Sequence, residues 1–310
     1  MTTEQSNKER HQPPKVTIGV PVYNGEAYLA EALDSILGQT FGDFEVIISD
    51  NASCDRTEDI CRDYASRDPR ITYIRQEKNA GAAPNFNLLV SLAKGKYFKW
   101  AASDDLIAPE FLASCLEALE SNSNASIAMT QTRIVDEAGR ELDCQSVSSA
   151  FTSPEFNERF AALLPMRACF EVFGLIRIEM LRKTKLIVGS SHGDGVLLCA
   201  LGAQGPFEAI SKPLFSARRH PEQSVALGKD RRAYSEWFDS RNKGKLILPT
   251  MRMLKEFALI PFAYSLGFNE RLSAVASLLS FAWSKRRGLL GDTKYLLRWA
   301  LLSVLLPAKP

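Results

Sequence analysis

Between residues 16 and 119 the chain alternates short apolar runs with amphipathic segments, and each run stops at a polar cluster. Val16-Thr17-Ile18-Gly19-Val20 ends at Pro21-Val22-Tyr23-Asn24-Gly25, and Phe44 to Ser49 ends at Asp50-Asn51-Ala52-Ser53. Ile71 to Arg75 leads to Glu77-Lys78-Asn79-Ala80-Gly81. Tyr97-Phe98-Lys99-Trp100 leads through Ala101-Ala102-Ser103 to Asp104-Asp105. The intervening segments carry apolar residues at three- and four-residue steps, as in Leu29, Ala32, Leu33 and Ile36, or Phe111, Leu112, Cys115 and Leu119. That spacing predicts helices. Strands alternating with helices predict an α/β fold whose mostly parallel sheet is covered on both faces. Ligands of such a sheet bind outside the carboxyl ends of its strands, so all four clusters are predicted to line one crevice.

Asp104 and Asp105 close the fourth strand with paired negative charge, which repels itself unless a cation is bound. Two carboxylates suit Mg²⁺ or Mn²⁺, ions that complete their shells with water and substrate phosphates. The other reading of the pair is a turn that caps the helix starting near Pro109. There is no GxGxxG and no GxxxxGK[ST], so neither a dinucleotide fold nor a phosphate-binding P-loop is indicated.

Past Ser126 the pattern changes. Ile127 to Val135 reads as a strand, Asp136 to Arg140 as a hairpin-like turn and Gln145 to Ser153 as a small-polar loop. Ser153-Pro154 reads as N-cap and first position of a helix that carries Phe156, Phe160, Leu163 and Leu164. Gly189 to Gly195 places Asp194 between two glycines ahead of an apolar helix, where it is either a cap or a functional acid. Arg218-Arg219-His220-Pro221-Glu222-Gln223-Ser224 holds one of three histidines.

From about residue 231 the chain reads as helical, with an apolar Leu272 to Trp283, a basic Lys285-Arg286-Arg287 and a leucine-rich helix from Asp292 to Leu306 stopped by Pro307. The net charge of +2 conceals an asymmetry: residues 1–211 carry 20 Lys and Arg against 29 Asp and Glu, residues 212–310 carry 18 against 7. A basic C-terminal third with Trp283, Tyr295 and Trp299 implies either an anionic membrane surface or helices docked on the first part. No nucleic-acid-binding motif is present, and nucleic acid is not an expected partner. The six cysteines show no CxxC spacing and read as reduced core residues of a cytosolic chain. Residues 1–14 read as a disordered tail without a signal peptide, and no run has the roughly 18 apolar residues of a spanning helix. The expected location is the cytoplasm, or peripherally the inner face of the cytoplasmic membrane.

In this order the clusters resemble the nucleotide-sugar-dependent glycosyltransferases of family 2, which have the GT-A fold. Pro21 to Glu26 resembles that family's first-strand signature, Ser49 to Thr57 its second, and Asn79-Ala80-Gly81 with Asn85 its third. Ser103-Asp104-Asp105 stands at its metal-binding motif. The likeness is strong over residues 15–120 and weaker to about 225. It implies that Pro21, Val22, Tyr23, Asn24, Glu26, Asp50, Asn51, Asn79, Gly81 and Asn85 surround the nucleotide sugar. It further implies that Asp104 touches ribose or metal, Asp105 ligates Mg²⁺ or Mn²⁺, Asp194 is the general base, and His220 offers a further metal or diphosphate contact. Asn51 departs from the second Asp of many members, which leaves the base open, and Ser103-Asp104-Asp105 is not a literal Asp-x-Asp.

The implied division is a tail over 1–14, a glycosyltransferase domain over 15–225 (donor half 15–120, acceptor half 121–225), and a basic helical extension over 226–310. The implied reaction is inverting, metal-dependent transfer from a nucleotide-diphosphate sugar, a UDP-sugar first, to a glycan or lipid-linked hydroxyl in cell-surface polysaccharide assembly. Two rivals stand beside it. A sugar nucleotidyltransferase would need a cationic loop after the first strand, which Pro21 to Glu26 lacks. A non-catalytic member of the same fold would need no carboxylates, yet Asp104, Asp105 and Asp194 are all present.

Overall fold

A computed structural model describes residues 12–166, 168–190, 192–221, 223 and 231–305. The expected tail through residue 11, the expected boundary at 226 and Pro307 lie outside the described residues, as does the side chain of Trp299.

The first half follows the predicted alternation: β1 (Val16–Val22), α1 (Leu29–Leu37), β2 (Phe44–Asp50), α2 (Thr57–Arg67), β3 (Ile71–Arg75), α3 (Ala82–Leu92) and β4 (Tyr97–Trp100). β1 pairs in parallel with both β2 and β4, and β2 in parallel with β3. Every residue of β1 is buried, as a central strand covered on both faces requires. At Gly19 a Cβ would stand 2.8 Å from Phe98 Cζ and 2.9 Å from Leu89 Cβ, so α3 seats directly on β1 only because that position has no side chain.

Then follow β5 (Leu106–Ile107), α4 (Phe111–Ser121), β6 (Ile127–Val135), β7 (Glu141–Gln145), α5 (Phe156–Leu163), β8 (Leu175–Arg177), α6 (Ile178–Leu181), α7 (Gly193–Gly202) and β9 (Phe207–Arg218). The sheet runs β3-β2-β1-β4-β8-β6-β9-β5, with β7 paired to β6. β8 is antiparallel to β4 and β6, β5 is antiparallel to β9, and β6 runs parallel to β9. The mixed outer part contains three strands that the sequence pattern does not announce. β5 and β8 are too short to show a period, and β9 contains Pro213, accommodated where the register with β6 shifts between Thr130 and Thr132.

Several local expectations shift. The N-cap of α5 is Glu155, not Ser153; Ser153 Oγ instead accepts from Glu155 N at 3.1 Å. Gln145 to Ser153 is not all loop, since Ser149–Thr152 forms a 3₁₀ turn that buries Phe151. Cys61, Cys115 and Cys199 are buried as expected of core residues, but Cys54 and Cys144 are exposed.

The apolar core divides on the two sheet faces. Leu29, Leu33, Phe111 and Leu112 pack on one face with Ile18 and Val46. Leu89, Phe160 and Leu197 pack on the other with Ile47, Phe98 and Trp100. The C-terminal helices α8 (Arg231–Phe238), α9 (Pro249–Ala263), α10 (Phe268–Ser284) and α11 (Arg286–Leu305) follow. α11 starts before the predicted Asp292, at Arg286 within the basic cluster, whose Lys285 is the C-cap of α10. Met253, Phe257 and Ile260 of α9 and Ala274, Leu278 and Phe281 of α10 belong to the same core as Trp100. Among the described residues no helix is long and apolar enough to cross a membrane.

Candidate active site

β4 gives way to a turn that carries the acidic doublet into β5, and β5 pairs with the end of β9. That two-residue strand presses Asp105 against β9, so that Arg218 N donates to Asp105 Oδ1 at 2.9 Å. The capping alternative fails, because α4 begins at Phe111 behind its own N-cap Glu110. His220 Nε2 stands 3.0 Å from Asp104 Oδ2, and its ring packs 4.8 Å from that of Tyr28. The Arg218 side chain, 2 % exposed, donates to Asp104 O (3.0 Å), to Glu137 O (2.7 Å) and to Glu31 Oε2 (2.6 Å). Its guanidinium also lies 4.6 Å from the Tyr28 ring centre. Sequence reasoning assigned Arg218 no role, although a double arginine ending a strand is a signal that could have found it.

Burial, reinforced by the Asp104 charge, pushes the Asp105 carboxyl up to about 8, while the Arg218 N–H, Lys99 and Arg219 pull the other way. The doublet is therefore a site where added positive charge is favoured. Lys99 lies behind it, fully buried, with its ammonium donating to Phe173 O and 4.3 Å from the Phe111 ring centre. Burial pushes that ammonium down to about 8.

The other predicted residues come together as a wall of mutually bonded loops. Asn24, at φ 52°, accepts from Cys54 N through Oδ1 at 3.0 Å. Glu26 Oε2 accepts from Arg56 N at 2.9 Å, and Glu26 N donates to Asp55 Oδ2 at 3.0 Å. Asp50 is wholly buried and accepts from Ser53 N, Tyr73 Oη and Arg75 Nη1 at 2.8, 2.9 and 2.9 Å. Asn51 donates to Asn79 Oδ1 and Gly81 O and accepts from Ala80 N. Asn85 donates to Ser49 O and accepts from Ser49 Oγ. These bonds fix the loops that follow β1, β2 and β3, with Pro21 and Val22 in β1 opposite Ser49 and Asp50. Tyr23, 45 % exposed, stands at the open end.

Asp194 lies in the first turn of α7, behind the N-cap residue His192. Burial alone pushes its carboxyl up to about 6, close to the pH at which a general base works. No hydrogen bond or ion pair joins it to Asp104 or Asp105 among the described residues; its electrostatic neighbours are Cys169 and Tyr234. The loop that leads to it is nevertheless tied to this wall of loops. Ser240 N donates to Ala80 O at 3.0 Å, and Asn242 Nδ2 donates to Gly189 O at 3.1 Å. Gly81, at φ +94°, admits the backbone of Asp239, 2.7 Å from where a Cβ would stand. Asp239 and Asn242 were not foreseen, because they act through residues far away in sequence.

The sequence profile described as "Glycosyl transferase family 2" matches residues 17–184, more than half of the chain. The chain belongs to glycosyl transferase family 2. The family match ends before Asp194 and His220. An uncharacterised glycosyltransferase of Methanocaldococcus jannaschii is 33% identical over 42% of this chain and 45% of its own length. Chondroitin synthase of Escherichia coli is 28% identical over 68% of this chain and 30% of its own length. The chain thus spans about half or less of the curated relatives it matches. Among solved structures, S. aureus TarS 1-349 in complex with UDP-GlcNAc superposes with TM-score 0.55, 18% identity and coverage of 88% of this chain and 92% of that one. The Pyrobaculum calidifontis mannosyltransferase PcManGT in complex with GDP-Man and Mn²⁺ gives 0.52, 19%, 96% and 82%. Both share the fold of this family 2 chain.

Among the described residues no group of three His, Cys, Asp or Glu side chains is arranged to hold a metal ion. A pair of carboxylates is nonetheless a donor set that Mg²⁺ or Mn²⁺ accepts when a diphosphate completes the shell. Only Oδ1 of Asp105 is spent on the Arg218 N–H, which leaves Oδ2 available, so the residues present fit such an ion.

Proposed function

We propose that this chain transfers a sugar from a nucleotide-diphosphate sugar, a UDP-sugar first among them, to a hydroxyl of a glycan or lipid-linked acceptor, with inversion. Polysaccharide assembly at the cell surface is the setting we infer, with the chain in the cytoplasm or peripheral on the membrane. The observation that carries the reading is the half-buried acidic doublet that follows β4 in a family 2 chain, its Asp105 held against β9. Nucleotide sugars bound to TarS and PcManGT, and Mn²⁺ in the latter, support the donor class and the ion.

In this reading residues 15–120 hold the donor, with Pro21, Val22, Tyr23, Asn24, Glu26, Asp50, Asn51, Asn79, Gly81 and Asn85 framing the nucleotide, and residues 121–225 face the acceptor. The hydrogen bonds of Asn24, Asp50, Asn51 and Asn85 within the protein support a framing role, in which preformed loops present backbone and Tyr23 to the nucleotide. Asp104 and Asp105, with His220 beside Asp104, would hold Mg²⁺ or Mn²⁺, which supplies positive charge to the departing diphosphate. Asp194, already near pH 6, takes the proton of the acceptor hydroxyl as it attacks, a contribution of about 10²–10⁴-fold. A single displacement inverts the anomeric centre and needs no covalent nucleophile.

Thermal shift with UDP and GDP, with and without MnCl₂, tests the site. Ligand at 100 times its dissociation constant stabilises by about 2.7 kcal/mol. One nucleoside diphosphate should raise Tm only with Mn²⁺ present, and Asp105→Ala should remove the Mn²⁺ dependence. No shift with either nucleotide in Mn²⁺ would overturn the reading.

A further inference from the structure

α10 is apolar on two opposite sides. Ala274, Leu278 and Phe281 enter the core, while Phe268 (81 % exposed), Leu272 (61 %), Leu279 (67 %) and Trp283 (71 %) form a second stripe facing outward. With half-buried Val275, the stripe recurs at steps of four, three, four and four residues and so lies along one line of the helix. Phe262 of α9 and Leu290 of α11 are also exposed, at 64 % and 60 %. A helix needs only one apolar side to pack on a core; a continuous second side means something else covers it.

The charge around the stripe identifies the occupant. Arg271 and the Lys285-Arg286-Arg287 cluster adjoin it along the chain, and among the described residues neither they nor Lys294 of α11 pair with a carboxylate. Arg286 stacks 5.1 Å from the Trp283 ring centre, and Lys285 lies 5.1 Å from that of Phe281. The acids of α9 to α11 are all engaged within the protein: Glu256 with Lys185, Glu270 with Gly267 N, and buried Asp292 with the N–H groups of Thr250 and Met251. The surface therefore offers apolar and aromatic side chains rimmed by cations with no free carboxylate. A second copy packed stripe against stripe would bring like charge against like charge. An anionic bilayer meets both features, with aliphatic groups entering the acyl boundary and Lys and Arg at the headgroups.

We propose that the outward stripe of α10, rimmed by the Lys285-Arg286-Arg287 cluster, seats the chain on an anionic lipid surface; the inference rests on the peripheral location read above and names the surface that carries it. α9 links this surface to the candidate base, since Phe257 lies 3.6 Å from where a Gly195 Cβ would stand, one residue from Asp194. A lipid-linked acceptor would then arrive from the side of the molecule that faces the bilayer.

Flotation of the full chain with phosphatidylglycerol and with phosphatidylcholine vesicles, at low and high salt, tests the proposal. The chain should float with phosphatidylglycerol at low salt, tenfold less at high salt, and not with phosphatidylcholine. The pair Leu272→Glu with Leu279→Glu, and separately Lys285→Gln with Arg286→Gln and Arg287→Gln, should each lose at least tenfold in bound fraction. Because four of these side chains are exposed and Lys285 is half-buried, circular dichroism and the nucleotide thermal shift should stay as in the parent. Unchanged flotation of either variant, or no flotation of the parent, overturns the proposal. A parent dimer split by the leucine pair overturns it in favour of a second copy. Flotation without any nucleotide response supports the surface and sinks the transferase reading alone.

Discussion

Asp105 and Asp194 are carboxyls that burial pushes up, but to different ends. Asp105 has Asp104, Lys99 and the β9 N–H as electrostatic neighbours and in the proposed reading would share a cation, whereas Asp194 has burial as its sole perturbation. A folded-state value near 6 against an ordinary 3.8 means that the native protein binds the Asp194 proton more tightly than the unfolded chain. Stability from this residue is then fully present below pH 3.8 and is lost as pH rises to about 6. At pH 8 its ionised form burdens the fold by up to about 3 kcal/mol, from about 1.4 kcal/mol per pKa unit. Asp194→Asn should accordingly raise stability at pH 8 and not at pH 4, as urea titrations at the two values would report. The same substitution should lower transfer by about 10²–10⁴-fold with nucleoside diphosphate binding unchanged. Retained turnover would place the base elsewhere.

Among the elements, the short ones decide the site. β5 has two residues, yet its pairing with β9 sets the strand-end doublet against that strand, Asp105 accepting from Arg218 N. The turn Ser240–Asn242 similarly ties the Asn79–Gly81 loop to the one that precedes Asp194. Gly81 is the contact point, with positive φ and no room for a side chain. Gly81→Ala should therefore cost about 1–3 kcal/mol in a denaturation titration, from strained backbone and displacement of Asp239. The same change at Gly139, also at positive φ but with open space around it, should cost less, because only the backbone term remains. Equal costs at the two sites would mean that the Asp239 contact contributes nothing.

Across the whole molecule, the family-matched segment is not self-sufficient in its core. Six side chains of α9 and α10, among them Phe257, Leu278 and Phe281, complete the cluster that covers Phe98 and Trp100. At about 1.5–3 kcal/mol for each large side chain fully buried, their loss rivals the roughly 5–15 kcal/mol by which domains are stable. A chain ending at residue 248 should lose cooperative unfolding, measurable by calorimetry; an unchanged transition would show the helices to be an appendage. The parallel half of the sheet and the four polar clusters at its edge were legible in the sequence, because strand and helix periods are properties of each segment alone. β5, β8 and β9 left too short or too interrupted a pattern. Arg218 and Asp239 could be assigned only once strands far apart in sequence were adjacent. What the sequence determined by itself is which segments are apolar on which side and where negative charge gathers, since the spacing of residue types along the chain fixes both. What the tertiary structure alone decided is which polar groups are spent on one another, as in Asp50 with Arg75 and Asn51 with Asn79, and which face of α10 remains uncovered. Hydrogen bonding and burial depend on partners brought from other parts of the chain, and no local pattern records them.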